Sequence, residues 1–306
     1  MFKIVQYGLA CMTGVIFLAF NLSTELINSI CLVLILLFGI PHGGVDHLIH
    51  ASTTPDTNVL KYIVKYLLIA GGYILWWLID PSKALFIFII LSAYHFGQEF
   101  IADMRIKGQN VILNLIWGSV ILVGPMIFSY QEIAVYLQII IPNLPDEIGP
   151  MTKYTIPIIS ILLAIGSVFW LRRQKLTAGR IYQIGLFLCV IILSHILLPF
   201  IPAFTIYFIL FHSTNAFKHQ FSWLKEKKDN YHFGKFIIDL LGFSLLAILG
   251  ILGLIWILKP ESQATLVTYF FILTSLITLP HAITLDQFYR FRNTLKIGKA
   301  ITESSK

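Results

Sequence analysis

Charge is scarce in this sequence: Asp, Glu, Lys and Arg make up 12% of 306 residues, against 57% hydrophobic residues. Soluble domains carry about 25% charged residues, so the composition excludes that class, in line with a mean hydropathy of +0.82. Cysteine is also rare. Cys11, Cys31 and Cys189 all fall in apolar runs, where a small apolar role is expected, so there is no disulfide framework and no thiolate set for a structural zinc. The HxxxH and HxxHH clusters of membrane di-iron hydroxylases and desaturases are missing, since the close histidine pairs (His42–His47, His47–His50 and His212–His219) have other spacings. No basic stretch has interleaved aromatics, which argues against nucleic acid. No internal repeat points to an inverted-repeat transporter, and no lysine lies deep in an apolar run to form a Schiff base.

What is present is a series of apolar runs, each near the length that crosses a hydrocarbon core of about 30 Å as a helix. Ten are expected, at residues 4–20, 27–47, 59–79, 84–101, 110–129, 154–171, 181–199, 200–219, 235–258 and 266–289. The predicted fold is all-α, a polytopic integral membrane helix bundle forming a single transmembrane domain over 1–306. Lys3 precedes the first run as in a signal peptide, but "LAFNLSTEL" offers no small-residue cleavage site, and the run is read as a span. The seventh and eighth runs are divided at Pro199 and Pro202, which predicts a tight reversal.

Of the 22 Lys and Arg, only Lys83, Lys153 and Lys259 fall on one side of a ten-helix arrangement. Cytoplasmic loops concentrate basic residues, so both termini are expected in the cytoplasm and the protein in the inner (plasma) membrane as a multi-pass chain. The net charge of +7 then reflects loops facing anionic lipid.

With that orientation, "PHGGVDH" (41–47), "AYHFGQE" (93–99), "FHSTNAFKHQ" (211–220) and "LPHAITLDQ" (279–287) close the four even-numbered helices from the second onward, except the sixth, at the cytoplasmic side. Helices running the same way bring His42, His95, His212 and His281 to one depth, about 15–22 Å along each helix. Neutral imidazole is a ligand for iron, copper and zinc, and ionisable groups are costly inside a bilayer unless they have a partner or a function. A metal site is therefore expected. Asp46 and Glu99 lie four residues after His42 and His95, on the same helical face and suited to hydrogen-bond a ligating ring; Asp286, five after His281, fits less well. His47 is about 140° around from His42 on a regular helix, and His219 is about 10 Å beyond His212. His195 closes the seventh span on the opposite side, and His50 and His232 fall in loops.

The segments "GIPHGGVDHL", "SAYHFGQE", "YFILFHS" and "LPHAITLD", in this order on a polytopic chain, resemble the Brp/Blh (bacterioopsin-related protein and homologue) family of β-carotene 15,15'-dioxygenases. The resemblance implies an Fe(2+)-dependent membrane enzyme that cleaves the central double bond of β-carotene with O2 to two molecules of retinal, a product that would supply a microbial rhodopsin. It also implies His42, His95 and His212 as iron ligands. The family pattern has a further histidine four residues after the last of these, where this chain has Ala216. The fourth position is thus open among His281, His219, water or no ligand, with His281 favoured for its place at the matching end of another helix. Tyr94, Phe96, Tyr207, Phe208 and Phe211 are expected to line a tunnel for a flat polyene, whereas Trp76 and Trp77 are read as interfacial anchors. A different membrane iron oxygenase or hydroxylase acting on an apolar lipid, or a transporter lined by histidine and acid, is the alternative.

Overall fold

A computed structural model describes the chain except residues 1, 20–21, 55–57, 105, 107–109, 173–176 and 305–306. Arg105, Lys107, Arg173 and Lys175, counted above among the loop cations, lie outside the described residues.

Helix formation follows the apolar runs. Helix α1 covers Phe2–Ala19, and α2 (Thr24–Leu34) passes through a π-helical segment, Ile35–Gly39, and a 3₁₀ turn, Ile40–Gly43, into α3 (Asp46–Thr53). Helices α4 (Val59–Ile79) and α5 (Pro81–Asp103) are regular, whereas α6 (Val111–Gly118) and α7 (Gly124–Phe128) are joined through a second π segment, Ser119–Val123. Then come α8 (Tyr130–Ile140), α9 (Pro150–Arg172), α10 (Ala178–Leu197), and α11 (Phe200–Tyr207), which runs through a third π segment, Phe208–Ser213, into α12 (Thr214–Lys227). Helices α13 (Phe233–Leu258) and α14 (Gln263–Ser304) complete the chain. Among the described residues nine helical stretches are long and apolar enough to cross a membrane, and α1 adds a shorter apolar helix, Val5–Ala19.

Side chains accept from the free N–H groups that start several spans: Ser23 from Leu26, Asn58 from Leu60, Asp80 from Lys83 and Asn110 from Leu113. The reversal between α10 and α11 is two residues long, Leu198 and Pro199. There the amide of Phe200 donates to Glu132 Oε2 at 2.8 Å, so a carboxylate from α8 covers the exposed N–H end of α11. Helix α8 itself has no counterpart among the ten expected spans; its 11 residues are too few to cross.

Large apolar side chains stand exposed all along the outer helices, including Leu78, Ile79, Leu246 and Trp256. Water would not tolerate such a surface; lipid does. The bundle is thus an all-α, polytopic membrane fold. Inside, small residues set the closest approach: α5 meets α6 at Gly97 and Gly118, where an added Cβ would strike the carbonyl of Asn114 or of Ala93. That contact seats the histidine-bearing end of α5 deep in the bundle. A second apolar cluster, built from Val45, Ile49, Trp223, Leu224, Phe236, Leu285, Phe288 and neighbours, closes the histidine end.

Candidate metal centre

Four helices deliver His42, His95, His212 and His281 to one buried spot, each at most 6% exposed. His42 follows the π segment of α2 and sits on the 3₁₀ turn, where Pro41 has no N–H to continue a regular ladder. His95 lies in regular α5, His212 on the third π segment and His281 directly after Pro280 within α14. Ring centroids are 4.7 Å apart for His42–His212 and His42–His281, 5.1 Å for His95–His212 and 5.2 Å for His95–His281. One nitrogen from each of His42, His95 and His212 falls within 4.8 Å of the others, a group able to hold a metal ion.

The outer nitrogens fix the protonation. His42 Nδ1 contacts the carbonyl oxygen of Gly39, which can only accept, so Nδ1 carries the proton. His281 Nδ1 donates to both oxygens of Asp46, at 2.8 and 2.9 Å. His212 Nδ1 lies against Glu99 Oε2 without making a hydrogen bond to it. With the protons of His42 and His281 on Nδ1, their Nε2 lone pairs turn inward, and His42 Nε2 lies 3.2 Å from His212 Nε2. Two lone pairs at that distance repel unless a cation or proton lies near both. His281 Nε2, His212 Nδ1 and both nitrogens of His95 are buried without a hydrogen-bond partner among the described residues, a cost of about 1–3 kcal/mol each if nothing else engages them. The nitrogens of His42, His95 and His212 gathered in this way fit a metal ion, and His281 stands beside them but outside that group of three.

The carboxylates pair across helices, which corrects the expectation that each serves its own helix. Asp46 reaches His281 and not His42, because the 3₁₀ turn and Gly44–Val45 interrupt the helix between them and Asp46 begins α3. Glu99, one turn beyond His95, meets His212 from the neighbouring helix. Asp286 accepts from Tyr94 Oη at 2.6 Å and Gln98 Nε2 at 2.8 Å and pairs with Arg290 Nε at 2.7 Å; its five-residue spacing turns it about 140° away from the His281 face. His219 shares a hydrogen bond with Tyr289 Oη at 3.2 Å, and its Nε2 lies 3.8 Å from Asp103, which pairs with Lys3.

A cavity of about 640 Å³ opens beside the imidazoles, with Phe96 and Phe208 in its wall. Tyr94, Tyr207 and Phe211 lie outside that lining: Tyr94 serves Asp286, and Phe211 packs on Tyr7 and Phe187 with centroids 5.5 and 5.6 Å apart. Tyr207 stands behind Phe96 at 5.6 Å. Phe88, Phe204 and Phe271 line this cavity and also a second one of about 700 Å³ that continues toward the far end of the bundle. Trp77, expected at the interface, is a buried wall of the second cavity and donates to Ser275 Oγ at 3.1 Å. The missed signal is a spacing of four: Phe200, Phe204, Phe208 and His212 form a stacked ladder with successive centroids 6.0, 5.4 and 5.1 Å apart.

Two polar clamps were also not foreseen. Gln220 Nε2 donates to the His42 carbonyl at 2.9 Å. From α1, Gln6 Nε2 lies 2.7 Å from the Leu210 carbonyl and 2.8 Å from Thr214 Oγ1, fastening the π segment that carries His212.

Fold and site together define a membrane-embedded helical bundle with a buried polyhistidine centre, able to bind a metal, on the wall of an apolar cavity. The family model described as Beta-carotene 15,15'-dioxygenase matches residues 33–289, and the chain belongs to this Brp/Blh family of β-carotene dioxygenases. It is 26% identical over 276 residues to the Beta-carotene 15,15'-dioxygenase of an uncultured marine bacterium, 66A03, covering 87% of this chain and 95% of that one. It is 34% identical over 65 residues, 20% of this chain and 19% of the other, to the Probable beta-carotene 15,15'-dioxygenase Blh of Halobacterium salinarum. No solved structure matches it.

Proposed function

We propose that this protein is an Fe(2+)-dependent oxygenase that cleaves the central 15,15' double bond of β-carotene with O2, giving two molecules of all-trans-retinal. The observation that carries this reading is the convergence of His42, His95 and His212 beside an aromatic-walled cavity in a chain of this family. His281 Nε2, buried and unpartnered, supplies the fourth ligand in place of the histidine that Ala216 replaces. An all-nitrogen neutral donor set suits iron, and when bound the iron supplies the redox chemistry by which O2 reacts with a carbon–carbon double bond.

The chain's own groups do the rest. The Gly39 carbonyl and Asp46 hold protons on the outer nitrogens of His42 and His281, which aims their inner lone pairs inward, and Glu99 stands against the outer nitrogen of His212. Asp46 and Glu99 thus act by orientation and not as proton carriers, and Asp286 acts further out, through Tyr94 and Gln98. Phe96, Phe204 and Phe208 hold the flat polyene so that its middle passes the imidazoles. Both termini face the cytoplasm by the distribution of Lys and Arg, in the inner (plasma) membrane, with the whole chain as one domain. The retinal passes to a microbial rhodopsin.

The test is expression in a bacterial strain that accumulates β-carotene, with carotene and retinal measured by chromatography and iron measured on the purified protein. Loss of carotene with matching retinal is expected. Unchanged carotene in a well-expressed, iron-loaded protein overturns the reading.

A further inference from the structure

Far from the metal centre, His195 closes α10 and is 6% exposed, and its Nδ1 is buried with no hydrogen-bond partner among the described residues. It stands on the wall of a third cavity, about 700 Å³, whose other lining groups are apolar apart from the exposed Tyr154. Pro125 and Gly124 of α7 and Pro157 of α9 form part of this wall. The exposed Ile158 and Ile196 stand at its rim, so it opens sideways toward lipid. A trapped water needs about two to four polar partners, which this wall does not offer. The His195 ring lies 5.7 Å from Phe200, the last member of the aromatic ladder that starts at His212 and itself a wall of the second cavity. An aromatic track therefore leads from the metal centre to one unclaimed imidazole.

We propose that the His195 cavity binds a long apolar molecule ending in one neutral oxygen, specifically the aldehyde product on its way to the bilayer. The occupant's identity rests on the proposed function. A hydrocarbon substrate has no atom for His195 to bond, whereas cleavage creates a carbonyl oxygen that accepts from an imidazole N–H. A buried donor that is idle toward substrate and matched to product favours departure of the product, not retention of the substrate.

The test is equilibrium binding of tritiated all-trans-retinal to detergent-purified protein carrying His42→Ala, so that turnover plays no part. In this background His195→Phe is expected to weaken binding roughly tenfold, the cost of about one hydrogen bond in an apolar site. His195→Gln, which retains a donor, should stay within about threefold of the parent. Ile161→Trp, which fills the cavity from α9 and leaves the α10 residues around His195 unchanged, should abolish the same binding, with monodisperse gel filtration checking the fold of each variant. Equal affinity in the His195→Phe protein overturns the proposal, and so does equally effective competition by oleyl alcohol, which would assign the cavity to membrane lipid. Failure of carotene cleavage by the unmodified protein would instead strike the proposed function and leave this binding measurement standing.

Discussion

The two ends of the bundle each place histidine on a cavity wall and treat it in opposite ways. At one end, His42 and His281 each have an oxygen partner hydrogen-bonded to the outer nitrogen and His212 stands against Glu99, so the rings are oriented before anything binds. At the other, His195 lies on a largely apolar wall and its Nδ1 has no hydrogen-bond partner among the described residues, so its ring is free to meet whatever oxygen arrives. Several constrained imidazoles converging on a point make a site for a cation; one unconstrained imidazole in an apolar cavity makes a site for a single neutral oxygen.

This comparison can be broken most sharply at His95, whose two nitrogens both lack hydrogen-bond partners among the described residues. His95→Ala should abolish metal retention and carotene cleavage, read as iron per protein and as retinal formed, while leaving retinal binding at the far end intact. Next come the carboxylates. Asp46→Asn should lower metal affinity about 10–100-fold by loosening His281, measured by competition with a chromogenic chelator. Asp286→Asn should leave affinity within about threefold, because its partners are Tyr94, Gln98 and Arg290; equal losses in the two variants would erase the distinction drawn between them. A smaller effect is expected at Gln6→Leu. Removing its hydrogen bond to the Leu210 carbonyl should cost about 1–3 kcal/mol, seen as a lower melting temperature in detergent and a changed spectrum of the cobalt-substituted centre. Smallest is His219→Ala: with its nitrogens directed to Tyr289 and Asp103, iron content should not change. A loss of iron there would move the fourth ligand from His281 to His219.

Much of the architecture was legible because apolar length translates directly into spans. The runs containing His42, His95, His212 and His281 could be placed at one depth by counting residues from their starts, and the reversal at Pro199 followed from proline chemistry. Helix α8 was not legible, because its 11 residues directly follow the apolar run 110–129 and are too few to read as a span of their own. The cavity lining was legible only in part. Phe96 and Phe208 face it, but Tyr94, Tyr207 and Phe211 do not, because neighbouring helical positions such as Tyr207 and Phe208 point about 100° apart and cannot share one wall.

By itself the sequence determined the membrane class, the common depth of four histidines and the family, since hydrophobic length and short motifs are local properties that survive without coordinates. Only the tertiary structure decided which nitrogen of each ring faces inward and which carboxylate serves which ring. Asp46 with His281, Glu99 with His212 and Gln6 with Leu210 join residues far apart in the chain, and no helical period encodes a partner on another helix. The same holds for His195: its place at a helix end was readable, but its lack of a partner and the cavity beside it come from how α7, α9 and α10 pack.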